Sequence, residues 1–130
     1  MRYAILLLGA PYSSQAAHSA LRFAQAVIAR GHRLEAVFFY ADGVHNAASL
    51  ATPPQDEPQI VDGWVDLQRD HEVRLEVCIA AALRRGIIDA AEAARHGKDG
   101  HSLAPPFTLT GLGQLIDLGV DCDRLITFGA

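Results

Sequence analysis

Lysine is almost missing from this chain: Lys98 is the only one in 130 residues, and the formal net charge is -4. A basic face able to follow a phosphate backbone is therefore disfavoured, and with it direct binding of nucleic acid. Any link to RNA has to run through a partner. Cysteine is scarce too, with two residues, Cys78 and Cys122. In a chain without an export signal, such a pair reads as thiols rather than a structural bridge. No apolar run is long enough to cross a bilayer, and Met1-Arg2-Tyr3 leads straight into a strand-like segment with no signal-peptide pattern. The expected compartment is the cytoplasm, with no membrane contact.

Other absences narrow the chemistry. His18, His32, His45, His71, His96 and His101 are scattered, no pair falls on one helical turn, and the cysteines lie far apart, so no metal site is expected. The Gly9–Gln15 loop has one glycine of the dinucleotide fingerprint and no P-loop lysine. It reads as a strand-to-helix turn that walls the site on its sheet edge, and no cofactor is expected.

Half of the residues are hydrophobic and a fifth are charged. A chain of this size forms one domain, 1–130, and buries about 65–70% of the surface it exposes unfolded. Tyr3 to Leu8 is a continuous apolar run, the pattern of a strand covered on both faces. Ser13 or Ser14 caps a helix whose Ala17, Ala20, Leu21, Ala24, Val27 and Ile28 share a face, ending at Arg30-Gly31. Leu34 to Phe39 is a second strand, which completes a βαβ unit with a right-handed crossover. The expected fold is an open, mostly parallel α/β sheet flanked by helices in three layers, in the flavodoxin manner.

Tyr40 to Pro58 is a long connection of the kind that forms binding or lid segments. Ile60, Val61, Trp64 and Leu67 mark an amphipathic helix, with Trp64 in the core or at an interface. The connection and Trp64 offer apolar surface to a partner. Asp89 and Glu92 are spaced as a capping box. Phe107 to Gly113 is a short extended or irregular piece; a last helix (Leu112 to Leu118) and a last strand (Arg124 to Phe128) follow.

Chemistry concentrates at Leu75–Gly86. Val73, Leu75 and Val77 alternate with Arg74 and Glu76, a strand period, whereas Ile79 to Arg85 are helix formers closed by Gly86. The period changes at Cys78. That puts Cys78 at the carboxyl end of a strand, the edge where ligands gather in open α/β sheets. Alternation puts Cys78 on the face of Arg74 and Glu76, the less apolar and so partly solvated one; the amino end of the following helix favours a thiolate there, while Glu76 opposes it. A buried packing role stands beside the reactive one, since cysteine is often buried. A Cys-His hydrolase would need a histidine beside the thiol, and only His45 is placed to approach it. Cys122, before the last strand, falls at the opposite, amino edge and reads as packing.

The segment Cys78-Ile79-Ala80-Ala81-Ala82-Leu83-Arg84-Arg85-Gly86 with Asp89 and Glu92 resembles the cysteine segment of the DsrE/TusD sulfurtransferase family. Val37–Tyr40 with Asp42-Gly43-Val44, Thr52–Glu57, and Phe107–Gly113 with Cys122–Ile126 match the same family in the same order, from Tyr3 to Phe128. The resemblance implies a DsrE/F-like fold and a sulfur-relay subunit in which Cys78 accepts sulfane sulfur as a persulfide. It implies partners resembling TusB and TusC, or DsrF and DsrH, in a hetero-hexamer, with a TusA-like donor and a TusE- or DsrC-like acceptor. Ala81–Arg85 and Cys122-Asp123-Arg124 lean toward the TusD branch, which serves wobble-uridine 2-thiolation of tRNA. Thr52–Asp56, Gly97-Lys98-Asp99 and Phe128-Gly129 are shared with the DsrE branch of sulfur oxidation. A non-catalytic thiol redox or binding module is the alternative of a different class.

Overall fold

The computed structural model describes residues 1–129. Five parallel strands form one sheet: β1 (Arg2–Leu7), β2 (Arg33–Phe39), β3 (Arg74–Cys78), β4 (Thr108–Thr110) and β5 (Arg124–Phe128). Their spatial order is β4-β3-β2-β1-β5. Around it lie α1 (Ala16–Ala29), α2 (Ile60–His71), α3 (Ile79–Arg84), α4 (Ala90–Arg95), α5 (Leu112–Asp121) and a 3-10 turn (Ala41–Ala47). The three-layer α/β expectation holds, with a strand order of its own.

That order follows from crossover handedness. From β1 to β4 the chain steps steadily across the sheet, so its right-handed connections stack on one face. From β4 it returns across the sheet to β5, so α5 must cross the other face. Ring contacts confirm the first layer. Phe39 and Phe128 both register with Leu7 and so share a face. Trp64 of α2 meets Phe39 edge-on at 5.4 Å between ring centroids, and Phe23 of α1 meets Phe128 at 5.6 Å. By strand alternation, Phe38, Glu76 and Cys78 point to the face that α5 crosses.

Two interface expectations change here. Trp64 lies wholly in the core, where its indole N–H donates to Asn46 Oδ1 at 3.1 Å, so it offers no surface. The Tyr40–Pro58 connection begins as the 3-10 turn and sinks Val44 and Ala47 into the core, leaving Leu50 as its exposed large apolar side chain. The substantial apolar surface is on α5 instead. Leu112, Ile116 and Val120, four apart and so on one stripe, are 45%, 67% and 77% exposed, with Leu125 of β5 alongside in the same category. No helix is long and apolar enough to cross a membrane among the described residues.

Two of the local signals read in the sequence are realised. Asp89 caps α4, its Oδ1 accepting from the Glu92 N–H at 2.8 Å. Gly86 ends the α3 region at φ +76°, a left-handed conformation that costs a side chain strain. The start of α1 departs from the expected serine cap: the N-cap is Gln15, which makes no side-chain capping hydrogen bond, and Ser14, one residue earlier, accepts at Oγ from the Ala16 N–H at 3.3 Å.

Candidate active site

Cys78 is the last residue of β3 and the residue immediately before α3, with φ -60° and ψ 117°. Its partner in the ladder is Thr110, the last residue of β4. β3 sends its connection over one face of the sheet and β4 sends α5 over the other. The crevice between the two carboxyl ends is therefore the topological switch point, where open α/β sheets bind and react. Cys78 and Thr110 stand at it side by side, and Gly111, next along, is the residue before α5. The strand-to-helix junction was legible from periodicity. The switch point was not, because it depends on which strand lies beside β3.

The face of Cys78 is closed rather than open. Cys78 is 3% exposed and Glu76 is buried, although Arg74, two residues earlier on that face, is exposed. Alternation of polar residues along the strand suggested a partly solvated face; α5 crosses that face, with Asp117 near enough for its charge to act on Glu76. Glu76 Oε1 meets Arg74 Nη1 at 3.3 Å, and its Oε2 has no hydrogen-bond partner. Burial pushes the Glu76 carboxyl up from its ordinary range, and Asp117 of α5 adds to this while Arg74 opposes it. Thr110 Oγ1 is buried and without a partner as well. Thr110 escaped the sequence reading because a three-residue strand has too little period to register.

The 3-10 turn packs against β3 and α3 from above the strand ends. Gly43 makes this possible: a Cβ there would stand 2.1 Å from the Leu7 carbonyl oxygen. Asn46 pins the turn, its Nδ2 donating to the carbonyls of Gly9 and Gly43 at 3.1 and 2.9 Å while Oδ1 holds Trp64. Arg85 pairs with Asp42 of the turn at 3.0 Å and donates to the Ala81 carbonyl, so its charge serves the turn and α3. His45 lies on the same turn, half-buried, and no hydrogen bond joins it to Cys78 among the described residues.

The Gly9–Gln15 loop was expected to wall the Cys78 site. Its residues Tyr12 to Gln15 instead line a cavity of about 400 Å³ with His18, Glu57, Pro58 and Ile60, away from Cys78. Tyr12 closes one side by donating to the Pro58 carbonyl at 2.7 Å. Cys122 caps the carboxyl end of α5, just before β5, at the amino edge of the sheet. Burial raises its thiol above the ordinary range, with Arg2 opposing and Glu35 and Asp121 adding. Both cysteines are free.

A parallel α/β sheet with a single cysteine at its switch point defines a thiol-centred α/β protein. The chain belongs to the DsrE/DsrF-like family, whose model matches residues 1–128. It is 51% identical over 128 residues to a protein named sulfurtransferase TusD in Salmonella newport, covering 98% of this chain and all of that one. It is 46% identical over 129 residues to a protein of Allochromatium vinosum whose name assigns it to the sulfurtransferases as DsrE, covering 99% of each. The crystal structure of the ychN protein from E. coli superposes with a TM-score of 0.76 over 98% of this chain and all of that one, at 20% identity, a likeness of fold.

Proposed function

We propose that this sulfurtransferase accepts sulfane sulfur on Cys78 as a persulfide and passes it to a downstream carrier, as one subunit of a sulfur relay. The observation that carries this reading is the place of Cys78 at the switch point in a chain of this family. The Cys78 thiolate attacks the outer sulfur of a donor persulfide, R–S–SH. The new S–S bond forms on Cys78 as the donor's S–S bond breaks, and the donor leaves as a thiolate that takes up a proton. The reverse geometry discharges the sulfur to the next thiol. Burial of Cys78 supports the role, since a covered persulfide is shielded from small thiols and released to a docked protein.

To test it, the protein is incubated with a persulfide donor and each cysteine is weighed by mass spectrometry. Each sulfur adds about 32 daltons, and the gain is expected on Cys78. Sulfenate or disulfide at Cys78 without that gain would favour the thiol redox module instead.

Of the two relay branches, 2-thiolation of the tRNA wobble uridine is the reading adopted, resting on the 51% identity to the TusD protein. Service in sulfur oxidation is the second reading, favoured by the DsrE likeness over 129 residues. The two separate by acceptor: labelled sulfur passes to a TusE-like carrier in one and to a DsrC-like carrier in the other. Related TusB- and TusC-like chains are the partners proposed to cover the α5 stripe, in a hetero-hexamer fed by a TusA-like donor. Ile116→Glu is expected to abolish co-sedimentation with them; assembly that survives it would remove α5 from the interface.

A further inference from the structure

Among the described residues, two buried side-chain polar atoms lack a hydrogen-bond partner: Glu76 Oε2 and Thr110 Oγ1. Both border Cys78. Thr110 is its ladder partner on the neighbouring strand, about 4.8 Å away in a parallel sheet. Glu76 is two residues back on the same face, about 6.6 Å along the strand. Its side chain is only 8% exposed, and one carboxyl oxygen is already engaged by Arg74. Orphaned buried groups are few in folded proteins and each calls for a physical reason. Two of them on the strand face of one thiol point to a common reason, the change of charge at that thiol.

We propose that Thr110 is a positioning residue whose hydroxyl donates a hydrogen bond to negatively charged sulfur on Cys78, and that Glu76 takes up the proton released as that charge forms. In the structure, with Cys78 as the free thiol, Thr110 Oγ1 makes no hydrogen bond to the sulfur. In the thiolate it becomes a charge-assisted donor, and in a persulfide the outer sulfur stands about 2 Å further out, within its sweep. The proton balance closes. Cys78 S–H gives its proton to the Glu76 carboxylate, so the buried site carries one negative charge throughout. Once the thiolate has attacked a donor persulfide, the neutral Glu76 carboxyl returns the proton to the departing thiolate. Burial, with Asp117 adding and Arg74 opposing, already biases this carboxyl toward the protonated form. The charged and titratable groups on the surrounding elements are Arg74 on β3, Asp117 on α5, His45 on the 3-10 turn and the Asp42–Arg85 pair.

The physiological use of this arrangement rests on Cys78 as the sulfur carrier, but its test needs no sulfur donor. In a Cys122→Ser background, thiolate formation at Cys78 is followed by ultraviolet absorbance against pH, with Cys78→Ser as the blank. Thr110→Val is expected to move the curve toward alkaline pH and to cut the thiolate fraction at neutral pH roughly tenfold, the size of a lost hydrogen bond to a charge. Thr110→Ser should restore it. Glu76→Gln should move the curve toward acid and sharpen it to a single-proton transition, since the coupled partner is gone. Where Thr110→Val fails to fold, Thr110→Ala takes its place. A hydroxyl-free variant that overlays the parent curve, or Glu76→Gln moving it to alkaline pH or not at all, overturns the proposal. Failure of persulfide to accumulate on Cys78 in the parent protein would instead overturn the relay reading and leave the thiolate result standing.

Discussion

Cys78 and Cys122 are the same side chain at opposite edges of one sheet. Cys78 ends β3 where two adjacent connections part to opposite faces, with the first turns of α3 and α5 beginning around it. Cys122 ends α5, beside carbonyls left without intrahelical partners and with Asp121 and Glu35 among the charges acting on it. One thiol stands where backbone N–H groups gather, the other where the negative end of a helix discourages a thiolate. Burial separates them in the direction opposite to a simple exposed-and-reactive rule, since the better placed cysteine is the more deeply buried. What distinguishes them is the direction of the backbone around them, so reactivity is to be sought in chain topology before exposure.

The comparison is broken most directly by exchanging each sulfur for oxygen. Cys78→Ser is expected to abolish sulfur loading from a persulfide donor, and Cys122→Ser to keep it, measured as mass gain on the intact chain. Loading confined to Cys122 would invert the assignment. Asn46→Ala sharpens the contrast at the next level. It strips three hydrogen bonds from the buried turn over the Cys78 edge and takes the side-chain partner from the Trp64 indole and from two carbonyls. The expected loss is about 2–3 kcal/mol, on the order of 10 °C in Tm by thermal unfolding. At temperatures where the variant is still folded, alkylation of Cys78 should speed up, while that of Cys122, across the sheet, stays the same. Equal acceleration of both would show that the turn is not a local cover.

Much of this was legible in the sequence, and the boundary has physical causes. Long apolar runs and helical stripes recur many times over, so β1, α1, β2 and α2 were readable. The change of period at Cys78 is a local event and was readable too. Strand order, by contrast, is a property of pairing, and neither the β3–β4 neighbourhood nor the single return crossing by α5 is written in any one segment. Hence Glu76 and Cys78 were expected on a partly solvated face, Trp64 was expected to offer surface, and α5 was read as a last helix with no interface role. Thr110 shows the same limit: its importance comes from its neighbour across the ladder, 32 positions away in sequence.

The smallest effect expected concerns a buried carboxyl with one arginine partner near one cysteine and a carboxyl with two near the other. The folded Glu76 carboxyl is held above its unfolded range, mainly by burial. Below the unfolded value, about 4.3, the group is protonated in both states and costs nothing. As pH rises beyond that, the unfolded chain gives up the proton first, so stability falls until the folded carboxyl has ionised too. Glu76→Gln keeps the shape and removes the charge. It is therefore expected to raise Tm at pH 8 by a few degrees, corresponding to roughly 1 kcal/mol, and to leave Tm at pH 4 unchanged. A control at the other edge is Glu35, whose carboxyl is lowered by its hydrogen bonds to Arg2 and Arg33 against the opposing effect of burial. Glu35→Gln should show the opposite sign, a loss of stability at pH 8 that fades as pH falls through the folded value of that carboxyl. Two thermal-melt series on the single variants decide it: matching signs at the two edges would mean that Arg74 satisfies Glu76 as fully as the two arginines satisfy Glu35, and that no uncompensated charge lies beneath Cys78.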